Sequence, residues 1–220
     1  MLHKDEWLSQ YFKGGAYAYH YTKPVSVNLP VGFVYAKLPA ENQAELTELM
    51  QGGFKLAEVS VVFEQKKLLD AIAKPTHPVG FVNSTEKQAV IDIAKNAFVF
   101  SRFYQDRCIS QETASQIKSD WVANYFNGKR GDNLIVARSN DRVIGFLLLI
   151  KKTTIDLIAV AEDYYRQGIA STMIAFANQT VGLLTAGTQL NNRHSIALYE
   201  KCGFCMKNSY FVLHQFFGNP

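Results

Sequence analysis

The stretch that most limits how this chain can fold runs from Asp156 to Ser171. Residues 157–160 form a short apolar run rich in strand-forming side chains. Gly168 has no Cβ, so the backbone there can come close to a ligand. From Ile169 the apolar residues Ile169, Met173, Ile174 and Phe176 fall at helical spacing. The reading is a buried strand, a tight turn and a helix start. The first N–H groups of a helix lack intrahelical partners and sit at the positive end of its dipole, which makes the turn a seat for a pyrophosphate. Two commoner phosphate motifs are excluded. No Gly-Lys-Ser/Thr follows the glycine, and the G-x-G-x-x-G triplet is absent.

A second segment follows. Residues 181–186 read as an apolar strand, and a helix then opens at Asn192, a favoured N-cap type, and closes at Gly203. Asn192, Ser195 and Tyr199 are spaced i, i+3, i+7, which places an amide, a hydroxyl and a phenol on one helix face.

Val160-x-x-x-x-Tyr165-x-x-Gly168-x-Ala170, followed by Asn192-x-x-Ser195-x-x-x-Tyr199-x-x-x-Gly203-Phe204, resembles the GNAT superfamily of acetyl-CoA-dependent N-acetyltransferases. The resemblance covers about the last 130 residues, the size of one domain. Tyr165 stands where the family carries Arg or Gln, with Arg166 beside it. The resemblance implies an α/β (α+β) fold with a central mixed, mostly antiparallel sheet flanked by helices. It implies acetyl-CoA as co-substrate, with Arg166, Gln167, Gly168, Ile169, Ala170 and Ser171 at the pyrophosphate. Ile158, Ala159 and Val160 would pair with the pantetheine arm like an added strand, and Asn192 and Ser195 would complete that side.

Acetyl transfer needs a neutral amine, a proton donor for the departing thiolate and an N–H group at the carbonyl oxygen. Tyr199 is the expected donor, since a phenol stays protonated at neutral pH. The Val160 N–H is the candidate for the oxygen. Asp156 lies on the same strand, and simple alternation gives it the facing of Ile158 and Val160. A carboxylate in an apolar strand needs a job or a partner. Two readings stay open: Asp156 takes the amine's proton as general base, or it binds a backbone group or a nearby arginine.

Composition adds limits. The chain has 220 residues, 48% hydrophobic and 19% charged, with a net charge of +4. That is enough apolar content for a core, and too mild a charge for nucleic acid. It suits attraction of a polyanionic small molecule such as CoA or a nucleotide sugar. No apolar run has membrane-spanning length and no leader is evident at Met1-Leu2-His3-Lys4-Asp5, so a soluble cytoplasmic protein is expected. A homodimer stays open. Cys202-x-x-Cys205 has no second cysteine pair to complete a zinc site, and the five histidines show no i, i+4 pair, so no metal centre is expected.

The chain divides near Pro75 and Pro78. Residues 1–74 are expected to form a small α/β domain without a cofactor motif, walling the acceptor cleft, and residues 75–220 the acetyltransferase domain. The first part reads as a short helix at 7–11, strands at 16–21 and 32–37, a helix at 39–50 and a strand at 58–64. It contains an internal echo: Leu49-x-x-x-Gly53-Phe54 has the outline of Tyr199-x-x-x-Gly203-Phe204. The second part reads as a helix from Ser84, an aromatic and charged run at 98–106, a helix at 111–126 and strands at 133–138, 142–150 and 154–160.

Ser101-Arg102-Phe103, after Ala97-Phe98 and in a two-part chain of this length, resembles the TDP-fucosamine acetyltransferases. These acetylate the 4-amino group of TDP-4-amino-4,6-dideoxygalactose for surface-polysaccharide synthesis. This narrower resemblance implies a TDP-amino-sugar acceptor. Arg102 would fork onto its diphosphate, and Tyr104, Trp121 and Tyr125 would stack on base or sugar. A GNAT enzyme for another amine and a non-catalytic CoA-binding module remain alternatives.

Overall fold

The computed structural model describes residues 1–21, 30–70 and 75–218. In chain order the elements are β1 (Leu2–Lys4), β2 (Ala16–Tyr19), β3 (Gly32–Pro39), α1 (Gln43–Gln51), β4 (Lys55–Gln65), β5 (Val79–Phe81), α2 (Lys87–Ala97), α3 (Arg102–Gln105) and α4 (Gln111–Phe126). They continue as β6 (Asn133–Ser139), β7 (Arg142–Ile150), β8 (Thr154–Val160), α5 (Ile169–Val181), β9 (Thr185–Gln189), α6 (Arg193–Lys201) and β10 (Phe204–Phe217). Strand 154–160 and helix 111–126 match the sequence reading. The expected strand at 181–186 does not form as such. α5 runs on through Val181, Gly182 (φ 84°) stops it, and β9 begins only at Thr185.

Local chemistry accounts for these elements. The run Phe146-Leu147-Leu148-Leu149 on β7 is continuous rather than alternating because both sheet faces are covered. Phe146 and Leu148 pack towards α2 and α4, whereas Leu147 and Leu149 pack towards α5. Ser110 caps α4 by accepting the Thr113 N–H. A capping box between Asn83 and Glu86 opens the turn that leads into α2.

The strands described make one sheet in the order β1-β2-β3-β10-β4-β9-β8-β7-β6-β5. Neighbours are antiparallel except the pairs β2·β3 and β8·β9. The C-terminal strand β10 lies between β3 and β4, so strands from both sides of the expected boundary share the sheet. Residues 71–74 at that boundary lie outside the described residues.

The echo in sequence has a structural counterpart. Gly53 and Gly203 are 150 positions apart, and the same offset relates β3-α1-β4 to β9-α6-β10. β4 and β10 pair with each other, and Cys205↔Glu64 maps under the offset onto His214↔Lys55. Phe211↔Leu38 maps onto Val61↔Thr188, so each unit's last strand pairs with the other unit's first strand. Ala40 N–H donates to Ser209 O, and its counterpart Leu190 N–H donates to Val59 O. The helices α1 and α6 are each 9 residues long. A local two-fold axis thus passes between β4 and β10, perpendicular to the sheet. Leu38, Phe211, Val59 and Val61 share one face by pairing and alternation, so α1 lies on the same face as α5 and α6. The helices α2, α3 and α4 cover the other. Among the described residues no helix is long and apolar enough to cross a membrane.

Candidate active site

The site is built where the parallel pair β8·β9 comes apart. The two strands pair only at Thr154↔Thr185 and Ile155↔Ala186. β8 then stays on β7 up to Val160↔Gly145, while β9 stays on β4 up to Gln189↔Ser60. The wedge between them exposes one edge of β8. The Ala161 N–H donates to Ile144 O on β7. Successive N–H groups of a strand alternate in direction, so those of Val160 and Ile158 point to the free edge.

The wedge opens into a cleft of about 730 Å³. Its walls are the end of β8 (Ile158, Ala159, Val160), the turn and start of α5 (Arg166, Gly168, Ile169, Ala170, Ser171), the start of α6 (Asn192, Ser195) and the segment after α2 (Val99, Phe100). Gly168 takes a left-handed backbone (φ 76°), and a Cβ built there would meet nothing within 4 Å, so the space in front of the turn is open. Arg166 is also left-handed (φ 62°), which an L-residue adopts at a cost of about 1–2 kcal/mol. The two together aim the first N–H groups of α5 into the cleft. Asn192 caps α6 by accepting the Ser195 N–H at 3.2 Å, leaving its NH₂ donors free of that bond. Gln167 stands at the rim, where its Oε1 is 3.2 Å from His77 Nε2. This cradle fits an extended pantetheine and a pyrophosphate.

Of the expected stripe on α6, Asn192 and Ser195 reach the cleft, and it continues through Leu198 and Lys201. Tyr199 turns into the core, 2% exposed, between Phe63 and Phe204. Burial pushes its phenol well above the ordinary tyrosine range, so it is fully protonated at neutral pH. No hydrogen bond ties its hydroxyl to another described residue.

Asp156 does not share the facing of Ile158 and Val160. A bulge in β8 puts Ile155 opposite Leu149 and Leu157 opposite Leu148, leaving Asp156 as the extra residue. Alternation is broken at that point, and the carboxylate turns towards α4. There Arg130 forks onto it with two bonds of 2.7 Å, and Trp121 Nε1 donates at 2.9 Å. The structure shows an arginine partner for Asp156, one of the two readings open in the sequence.

The aromatic and charged run at 98–106 also folds inward. Arg102 Nη1 lies 3.2 Å from His214 Nε2, and the guanidinium stacks on Tyr35 and Phe103. Burial lowers His214 to about 4, so it is neutral, donating from Nδ1 to Asp106 (2.7 Å) and accepting from Arg102 at Nε2. Tyr104 donates to Lys95 O, and Tyr125 packs edge-on against Phe126. The four expected acceptor residues therefore lie around a packed polar centre rather than on the cleft wall.

Sequence reasoning missed Glu58, on β4. It faces α3 and α4 and accepts the Arg102 N–H at 3.0 Å. Burial raises its carboxyl above the ordinary glutamate range, opposed by the charges of Arg102 and Lys118. It lies on β4 two residues beyond the last β4·β9 pair, Ser60↔Gln189, with β9 between β4 and β8 in the sheet. The signal was present: a carboxylate within a strand of β-branched residues, the argument used for Asp156.

Known proteins were compared with the chain. A model of the acetyltransferase (GNAT) family matches residues 98–204. The spore coat polysaccharide biosynthesis protein SpsD of Bacillus subtilis (strain 168) is 29% identical over 192 residues, 83% of this chain. The chain spans 66% of that relative's length, just under two thirds. Among solved structures, a conserved protein of unknown function from Staphylococcus epidermidis ATCC 12228 superposes with a TM-score of 0.61 at 16% identity, covering 83% of this chain and 72% of its own. A GCN5-related N-acetyltransferase from Sphaerobacter thermophilus gives 0.56 at 14% identity, covering 84% and 59%. At those identities the solved structures speak for the fold. Among the described residues no group of three or more His, Cys, Asp or Glu is arranged to hold a metal ion.

Proposed function

We propose that the chain is a GNAT-family N-acetyltransferase that acetylates the amino group of a nucleotide-linked amino-deoxy sugar, a TDP sugar, by direct transfer, a reading supported by the family match over residues 98–204. The observation that carries the transfer is the wedge between β8 and β9, with a free strand edge and a helix N-terminus opening into one cleft. The sugar acceptor draws on the likeness to a polysaccharide-biosynthesis protein and on the polar face next to the wedge.

Bound acetyl-CoA supplies the acetyl group as a thioester. The N–H groups of Gly168, Ile169, Ala170 and Ser171 hold the pyrophosphate. Asn192 and the free edge of β8 hold the pantetheine amides. The Val160 N–H stands at the thioester carbonyl oxygen. Glu58 takes the proton that the amine loses, and the Arg102 N–H orients its carboxylate. Tyr199 is assigned the proton for the departing sulfur: its ring packs in the core, but its hydroxyl, which no described residue engages, is not among the fully enclosed unpartnered atoms and is left to face the thioester. Asp156 serves by position: with Arg130 it fixes Trp121 and the bulge that starts the wedge.

The test has two stages. Calorimetry should detect acetyl-CoA uptake by the purified chain. A panel of TDP-amino sugars, polyamines and peptides should then give acetylation of a TDP-amino sugar. Turnover of a simple amine with every TDP sugar inert would replace the acceptor and keep the transferase. Absence of acetyl-CoA binding would remove the cleft assignment itself.

A further inference from the structure

Beside Glu58 lies a charge that the transfer steps above leave unused. Lys118 is on α4 and only 8% exposed. Its ammonium lies over Trp121 at 4.3 Å, with Phe98 and Phe103 at 5.4 Å and 5.9 Å. No hydrogen bond or ion pair joins it to another described residue. Its natural partner, Asp156, has both oxygens taken by Arg130 and Trp121. Its Nζ is not among the fully enclosed atoms that lack a partner, so the tip of the side chain meets open space with three donors that no described residue engages. Two polar atoms nearby are enclosed and without a partner: Ser60 Oγ, two residues from Glu58 on the same face of β4, and Ser101 Oγ, next to the N–H that bonds Glu58. Ser60 lies opposite Gln189 on one side and Tyr210 on the other. Unpaired donors thus gather around one carboxylate at the mouth of the wedge.

We propose that Lys118 is the acceptor-recognition group of this transferase, donating to a hydroxyl on the ring carbon next to the reacting amine, with Ser60 and Gln189 beneath the same ring. The inference rests on the sugar-acceptor reading and adds to it the residue that selects a hydroxylated ring. A site built to hydrogen-bond a hydroxyl rejects an analogue that lacks it, because its own buried polar group then stays unpaired. The groups facing the ammonium are Asp156 from β8 and Glu58 from β4, which favour its charge, and Arg102 from α3 and Arg130 after α4, which oppose it. Burial is the largest influence and lowers Lys118 to about 8, so it is mostly charged at neutral pH and loses its proton on mild alkalisation.

The experiment compares wild type with Lys118→Met on a TDP-linked 4-amino-4,6-dideoxyhexose and on its 3-deoxy analogue. Wild type should favour the hydroxylated acceptor by about 10- to 100-fold in kcat/KM, the scale of a charged hydrogen bond. Lys118→Met should erase that preference, leave the KM for acetyl-CoA unchanged, and raise the thermal midpoint, since an unpaired buried charge has been removed. Should Lys118→Met fail to fold, Lys118→Leu carries the same comparison. An undiminished preference, or a lowered thermal midpoint in the variant, overturns the inference while leaving the transferase intact. A wild type inert towards both TDP sugars overturns the acceptor reading and this one with it.

Discussion

The two units related by the local axis, β3-α1-β4 and β9-α6-β10, have the same strand–helix–strand plan, the same pairing register and helices of the same length. Among the described residues, the wedge and the cleft it opens into lie beside the second. Before β9 the chain passes from β8 through residues 161–184, with room for the left-handed turn and the 13 residues of α5. Before β3 the connection from β2 is residues 20–31, shorter than α5 itself. Where α6 has Tyr199, α1 has Leu49, fully buried. Asn42 and Asn192 open their helices with nearly the same backbone (φ −84°, ψ 65° and φ −84°, ψ 72°), yet only Asn192 makes the side-chain cap bond. One packing plan thus serves twice. The capacity to bind a cofactor comes from what is inserted beside it, and function sits on the site rather than the fold. The first unit still contributes: Glu58 belongs to it, and its counterpart in the second is the exposed Asn208.

The sharpest way to test that division is to remove Glu58. Glu58→Gln should lower kcat/KM for the acceptor by about 10²- to 10⁴-fold, the usual share of a general base, with acetyl-CoA binding retained. Asn208→Ala should do nothing measurable. The working form is the carboxylate and its pKa is raised, so wild-type activity should fall on acidification earlier than an ordinary glutamate would dictate. Glu58→Gln should lose that limb in a pH–rate profile. Equal losses from both substitutions would erase the difference between the units.

The matched pair on the helices comes next. Leu49→Ala should cost about 2–5 kcal/mol of stability by denaturant titration, as core truncations do, with KM values unchanged. Tyr199→Phe keeps the packing and should cost little stability. Its kcat should drop by about 10- to 100-fold, the loss of one proton donor. Unchanged kcat in Tyr199→Phe would make this tyrosine the packing twin of Leu49. The smallest contrast is at the caps. Asn192→Ala should destabilise by about 1 kcal/mol and raise the KM for acetyl-CoA, whereas Asn42→Ala, with no cap bond to lose, should stay within about 0.5 kcal/mol in thermal melts.

Much of the architecture could be read from the chain. Residues 154–160 and 111–126 form the elements that their pattern predicts, because β-branched runs and capped helix-forming stretches carry their own instructions. The glycine turn was legible for the same reason: only a residue without Cβ adopts φ 76° at no cost. Asp156 shows where that legibility stops. Its facing followed from alternation, and a single bulge, set by how β7 and β8 register, reversed it. The acceptor side was hidden for a related reason. Arg102, Tyr104, Trp121 and Tyr125 have the chemistry of a binding surface, but their partners His214, Lys95, Asp156 and Phe126 include some more than 30 residues away.

By itself the sequence determined many of the local pieces: strand 154–160, helix 111–126, the glycine turn that leads into α5, and that two segments 150 residues apart repeat one outline. Those follow from side-chain volume, branching and capping, which act within a few residues. Tertiary structure decided that β10 inserts between β3 and β4, that β8 and β9 part after two pairs, and which carboxylate is locked by an arginine and which lies beside the wedge. Such outcomes depend on which distant groups exclude water from one another, and no short stretch of the chain carries that information.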